Sequence, residues 1–194
     1  MASSDFSRSF AHALGAVALL SLLPATTRAA DLVPYQATDW RYMQVANGDP
    51  LETVFMNPLF DDSGWSVGQA AFGNGGCYLD ATVHTPWEPV TDMLLRRAFT
   101  ADPLMAVTIH FAIDNDAVVW VNGTQVGSVA HDGCPNLDDY SLVVPPGVIV
   151  PGPNVLAFRA VDRGLVAYVD VRVEGELPVP AVPASWGSLK AIYR

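Results

Sequence analysis

The chain has 194 residues, 51% of them hydrophobic and 15% charged, with 20 acidic against 10 basic side chains. That balance fits one globular domain with a single sizeable core and argues against disorder. The net charge is −10 and Lys190 is the only lysine, so there is no basic stripe able to displace counterions; this argues against nucleic acid and anionic membrane surfaces as partners.

In chain order, Arg8, an apolar run from Ala11 to Leu23, Pro24 and the small-residue stretch ending at Ala30 read as a secretory signal peptide over residues 1–30, cleaved before Asp31. The run is about 13 residues, against roughly 20 needed to span a bilayer, and His12 lies inside it. Its removal takes away Arg8, Arg28 and Asp5 and leaves 164 residues at net −11. The mature chain is then secreted, extracellular or on a bacterial cell surface, with no transmembrane segment.

The mature chain reads as strands and turns. Weakly marked strands are expected at Trp40 to Val45, Ala81 to Thr85, Met93 to Thr100 and Tyr140 to Val144. The clearest signal begins at Met105, where Val107, Ile109, Phe111 and Ile113 alternate with Thr108, His110, Ala112 and Asp114, the period of a half-buried strand. Ala117 to Val121 is apolar on both faces and ends at Asn122-Gly123, a hairpin turn, with Thr124 to Val129 returning. The hairpin also explains the glycosylation sequon at Asn122. Asn154 to Asp162 and Leu165 to Glu174 repeat the alternation, and Asp162-Arg163-Gly164 between them is short enough for a hairpin. Many short strands without amphipathic helices between them predict an all-β, antiparallel β-sandwich or jelly roll over residues 31–176. Residues 177–184 form a proline-spaced linker, and residues 185–194 a short tail that reads either as a sorting or anchoring segment or as a plain terminus.

Cys77 and Cys134 are the only cysteines. In an exported chain an even count favours a disulfide. A metal or redox pair fits less well, because C-x-x-C is absent and His84 and His131 miss zinc-finger spacing.

Five segments in order carry a resemblance: Asp39-Trp40-Arg41-Tyr42; Phe60-Asp61-Asp62-Ser63-Gly64-Trp65 with Ala71-Phe72-Gly73; Leu95-Arg96-Arg97-Ala98-Phe99; Asp114 through Gly123; and Pro151-Gly152-Pro153-Asn154-Val155-Leu156-Ala157. Together they resemble the galactose-binding-domain-like, carbohydrate-binding-module-like jelly rolls of secreted bacterial proteins. The resemblance implies a non-catalytic module that binds glycans through loops at one end of the sandwich, in some members with a structural calcium. It transfers the scaffold and not the sugar site, because ligand residues of such modules sit on variable loops.

Catalytic readings fare worse. Gly64-Trp65-Ser66-Val67-Gly68 matches G-x-S-x-G but lacks the strand before and helix after that a nucleophile elbow requires. The glycine-rich Phe72 to Cys77 lacks the lysine and helix of a phosphate loop. Asp61/Asp62, Asp114/Asp116 and Asp138/Asp139 could supply paired carboxylates for glycosidic cleavage, yet such loop pairs more often form turns. The expectation is that the chain is not an enzyme. Asp114 and Asp116 are candidate ligands for a structural calcium, with a tight turn as the alternative; Asp132, Asn136, Asp138 and Asp139 offer further oxygens.

Sugar recognition uses an aromatic face with amides and carboxylates around it. Tyr78, Trp87 and Tyr140 are placed in loops or at strand starts beside Asn74, His84, His131, Asp132, Asn136 and Asp138. A Cys77–Cys134 bridge brings residues 73–80 and 131–139 into one aromatic, acidic end. The candidate site is therefore Tyr78, Trp87, Asn74, His131, Asp132, Asn136 and Asp138. Trp40, Trp65 and Trp120 are assigned to the core, and His110 to an outer sheet face. The expected function is recognition of carbohydrate or another surface polymer; the alternative is a structural or adhesive subunit whose loops contact protein partners.

Overall fold

The computed structural model describes residues 29–177 and holds twelve strands in that range: β1 (Ala29–Val33), β2 (Trp40–Ala46), β3 (Ser66–Gly68), β4 (Phe72–Gly73), β5 (Thr85–Pro86), β6 (Thr91–Thr100), β7 (Ala106–Asp114), β8 (Asp116–Val121), β9 (Thr124–Ala130), β10 (Tyr140–Val143), β11 (Pro153–Val161) and β12 (Tyr168–Glu176). They make two six-stranded sheets, one ordered β10-β7-β12-β4-β5 with β1 also on β12, the other β3-β2-β6-β11-β8-β9. All described pairings are antiparallel except β4 with β5. The chain is an antiparallel β-sandwich. Among the described residues helical structure is limited to two 3-10 turns, Pro50–Thr53 and Asp80–Thr82, and no helix is long and apolar enough to cross a membrane. The expected signal peptide lies outside the described residues except Ala29 and Ala30, which extend β1 against Gly175 and Glu176. Of the linker and tail, only Leu177 is described.

The alternation read from the sequence puts Val107, Ile109, Phe111 and Ile113 of β7 against Val119, Val121, Leu156, Phe158, Val169, Val171 and Val173, all buried between the sheets. Trp40 and Trp87 complete this layer. The Asn122-Gly123 hairpin forms as expected, with φ of +51° and +81°, the left-handed pair whose twist matches the flanking strands.

Three expectations need correction. Asp162-Arg163-Gly164 is no hairpin: β11 pairs with β6 and β8, whereas β12 pairs with β7 in the other sheet, so the chain crosses the end of the sandwich here. Buried Asp162 fixes the crossing by accepting the Val90 and Gly164 N–H groups at 2.7 and 2.8 Å. β12 accordingly begins at Tyr168, and Leu165 is 87% exposed. Ala81 to Thr85 is a 3-10 turn leading into the two-residue β5. Trp120 leaves the core for a half-buried position: with Phe60 it packs against a second buried cluster, Phe55, Leu94 and Trp65, on the outer face of the β2-β6-β11-β8 sheet, where Trp65 is buried as expected. This works because residues 47–65 cover that face. Arg96 holds the cover down, with Nε 2.7 Å from Asp62 and further hydrogen bonds to the carbonyls of Phe55, Asn57 and Phe60.

The outer face of the other sheet is covered in the same way. Tyr168 packs with Ala71 and Ala112 under Leu79 and Val83. Asp170, 1% exposed, accepts the Gln36 N–H at 3.1 and 3.2 Å and the Val171 N–H at 2.8 Å. Burial pushes its carboxyl up to about 7 against the downward pull of these hydrogen bonds. A carboxyl raised in the folded state stabilises folding fully below its ordinary range, and that contribution is lost as pH rises through about 7. Asp170 is expected to take about 3 kcal/mol from the stability between pH 5 and pH 8, measured by chemical denaturation, and Asp170→Asn to reduce the pH slope of the protein by about that amount. An equal slope in both proteins contradicts this assignment.

Candidate functional site

Glycines and short polar residues stand where the chain leaves β4, and the geometry of that loop requires them. Gly75 and Gly76 have φ of +89° and +97°, and a Cβ on Gly76 would stand 2.9 Å from a Val166 methyl. The Asp80 carboxylate accepts the N–H groups of Gly76 and Cys77, each at 2.7 Å. Asn74 zips this loop to the β11–β12 crossing: its Nδ2 donates to the Leu165 carbonyl at 3.1 Å and its Oδ1 accepts the Ala167 N–H at 2.9 Å.

Cys77 is bonded to Cys134 with Cα atoms 5.2 Å apart, as expected from the cysteine count. The bridge brings residues 74–80 against residues 131–139 at one end of the sandwich. A depression of about 400 Å³ lies on this loop, lined by Asn74, Asp80, Val83, His84 and Pro86 with Gly73 and Gly75. Tyr78 stands beyond it, 87% exposed.

Arg163, on the crossing, organises the other side. Its Nε lies 3.0 Å from Asp116, its Nη2 lies 2.7 Å from Asp132 and 2.9 Å from the His131 carbonyl, and its backbone N–H donates to Asn115. His131 Nδ1 and the Tyr140 hydroxyl are 2.7 Å apart, and the Tyr140 ring stacks on Phe111 of the core. Asn136 donates its backbone and side-chain N–H groups to Asp139. Asp132 is 86% exposed at the side chain.

The structure thus brings Asn74, Tyr78, His131, Asp132 and Asn136 to the disulfide end and separates two expected members. Trp87 is 1% exposed: it belongs to the inter-sheet core, because β5 turns the ring inward and its Nε1 finds Thr91 O and Oγ1 at 3.2 and 3.1 Å. Asp138, with φ of +60°, turns onto the outer sheet face. There it accepts from the Tyr35 hydroxyl at 2.8 Å and Arg172 at 3.2 Å, and lies 3.5 Å from His110. Against the upward push of desolvation, the hydrogen bonds from Tyr35 and Arg172 hold its carboxyl below the usual range. His110 is on the outer face as expected, but only 19% exposed beneath this cluster. Asp114 and Asp116 also diverge. Asp116 faces Arg163, while Asp114 is 3% exposed and lies 3.9 Å from the Cys77 sulfur. Of the carboxylate pairs, Asp61 accepts the Ser63 N–H and Asp62 is held by Arg96. Ser66 of the G-x-S-x-G match opens the edge strand β3.

Arg163, Asp80 and Leu165 are not among the site residues that the sequence singles out. Asp80, three residues after Cys77, carries the spacing of a local side-chain-to-backbone cap, which is a readable signal. Arg163 reads as turn material because its partners lie 31 and 47 residues away.

No family model matches the chain, and no curated protein sequence does. Solved structures are similar in fold. A β-glucuronidase of Bacteroides uniformis aligns at 16% identity and a TM-score of 0.53 over 77% of this chain and 18% of its own. A β-glucuronidase of Ruminococcus gnavus aligns at 13% identity and a TM-score of 0.52 over 82% of this chain and 31% of its own. A β-glucuronidase of glycoside hydrolase family 2 gives 14% identity and a TM-score of 0.52 over 78% and 18%. The chain therefore spans less than a third of the length of these enzymes, and the likeness is one of sandwich architecture.

The chain-entropy model values the bridge, which spans 57 positions, at about 4 kcal/mol. The Cys77→Ser/Cys134→Ser variant is expected to lose about that much stability in urea denaturation. A loss below about 1 kcal/mol would show that Asn74, Asp80 and Arg163 hold the end without the bridge.

Proposed function

We propose that this chain is an exported, non-catalytic binding module of the galactose-binding-like kind, which recognises carbohydrate or another surface polymer through the disulfide end of its sandwich. The observation that carries this reading is Tyr78, a large ring 87% exposed on a loop fixed by the bridge and by the hydrogen bonds of Asp80 and Asn74. A rigid, exposed aromatic face suits the apolar face of a sugar ring, and little ordering entropy is lost when the loop is already held. Asp132 and His84 stand exposed on the same end to meet hydroxyls. Two further considerations support the reading. Similar sandwiches occur as a minor part of β-glucuronidases, which act on carbohydrate. A formed disulfide suits an oxidising compartment, in line with the signal-peptide pattern.

A second reading, a structural or adhesive subunit with protein partners, draws on a different observation. Asn74, Asn136, Asp138 and the Nδ1 of His131 are spent on hydrogen bonds inside the protein. In that case these residues shape the loops and leave Tyr78 and Leu165 as apolar contacts for a partner.

A glycan array probed with the disulfide-bonded protein separates the two. Binding is expected and should weaken at least about tenfold in Tyr78→Ala, equivalent to about 1.4 kcal/mol. It should be unchanged in Leu59→Ala, whose side chain is 91% exposed on the segment covering the other sheet. Binding that survives Tyr78→Ala refutes this site, and binding to no glycan favours the second reading.

A further inference from the structure

Asp114 is a buried group that neither the sandwich nor the candidate site explains. Its side chain is 3% exposed at the end of β7. Oδ1 accepts from the Asn115 side-chain amide, but the neighbour of Oδ2 is the Cys77 sulfur at 3.9 Å, and a disulfide sulfur has no hydrogen to donate. The nearby cation, Arg163, is spent on Asp116 and Asp132. Burial, with the charges of Asp162 and Asp132 adding to it and those of His131 and Arg163 opposing it, pushes the Asp114 carboxyl up to about 6. A buried acceptor without a donor is costly, and a proton on Oδ2 while the bridge is closed, or on the Cys77 sulfur once it is open, would complete the contact.

The two sulfurs are not equivalent. Cys77 is 8% exposed and lies on the Asp114 side, whereas Cys134 is partly exposed on the rim loop. An incoming thiolate therefore reaches the Cys134 sulfur, and the sulfur that must leave is the one facing the carboxyl. We infer that Cys77–Cys134 is a thiol–disulfide exchange site, at which an external dithiol attacks Cys134 and Asp114 delivers a proton to the departing Cys77 sulfur.

The chemistry balances. One thiolate of the dithiol forms a bond to Cys134 Sγ, the bond between the two cysteine sulfurs breaks, and its electron pair stays on Cys77 Sγ. That sulfur takes the Asp114 proton and leaves a carboxylate. The second thiolate of the dithiol then attacks the mixed disulfide, releases Cys134 as a thiolate and departs as a cyclic disulfide. The protein pair gains two electrons and the dithiol loses two. In the reverse direction the Asp114 carboxylate accepts the Cys77 proton. Opening the bridge unties residues 74–80 from 131–139, so exchange would loosen the loops whether or not they hold a sugar.

The test is reduction of the full oxidised chain by dithiothreitol between pH 5 and pH 8, with rates expressed per attacking thiolate. The wild-type rate is expected to fall about tenfold across this range as Asp114 loses its proton, and Asp114→Asn to give a flat profile. Near-ultraviolet circular dichroism confirms that the variant is folded. Trapping with glutathione should place the mixed disulfide on Cys134. The inference is overturned by a wild-type profile that is itself flat, by one that Asp114→Asn leaves unchanged, by a mixed disulfide on Cys77, or by reduction no faster than global unfolding.

Discussion

The bond between Cys77 and Cys134 is the constraint on which the candidate site depends. Residues 74–80 leave β4, in the sheet that holds β12, while residues 131–139 run from β9 in one sheet to β10 in the other. Nothing in strand pairing obliges these two segments to meet, since β4 lies inside its sheet between β12 and β5 whereas β9 and β10 are edge strands. The bridge makes them neighbours, and Asn74 and Arg163 then tie both to the β11–β12 crossing. The result is three loops fixed to one another by one covalent bond and a few hydrogen bonds. A binding surface gains from such fixing, because the ordering entropy is lost at folding and not at association.

The acidity of the chain acquires a structural meaning from the arginines. Arg159 lies 2.7 Å from Glu52 and 2.6 Å from Asp92; Arg163 joins Asp116 and Asp132; Arg172 joins Asp31, Asp138 and Glu174. Each guanidinium gathers carboxylates from different segments, which suits its fork of donors. Arg96 and Arg159 hold the cover of the outer sheet face, Arg96 from a buried position. Other carboxylates turn the chain by accepting backbone N–H groups, as Asp80, Asp162 and Asp170 do. Much of the negative charge is thus architecture; Asp132, 86% exposed at the side chain, keeps its charge in water at the disulfide end while still meeting Arg163.

How much of this is legible in the sequence depends on the range of the forces involved. Alternation from Met105 to Val129 and the Asn122-Gly123 turn are local signals, and the strands and hairpin stand where they predict. The bridge is legible because only one pairing is available. Trp120 escapes the same reasoning because alternation tells which residues share a face and not which faces are covered. Two outer faces of this sandwich carry apolar clusters under irregular segments. Trp87 reads as an exposed platform because nothing in its neighbours announces that Thr91 will satisfy its N–H. The candidate amides and carboxylates do lie near the bridge, except Asp138. Their hydrogen bonds, such as those of Asn74 to Leu165 and Ala167, span some ninety residues and leave no local trace.

If three loops at the disulfide end form one preorganised ligand surface, a bound glycan must touch all of them. Amide chemical shifts of the oxidised protein, followed during titration with a glycan that it binds on an array, report that contact residue by residue. Perturbations are predicted to be confined to residues 73–86, 131–139 and 162–167, centred on Tyr78. Perturbations centred instead on the cleft between Thr53–Pro58 and Asn122–Thr124 would contradict it.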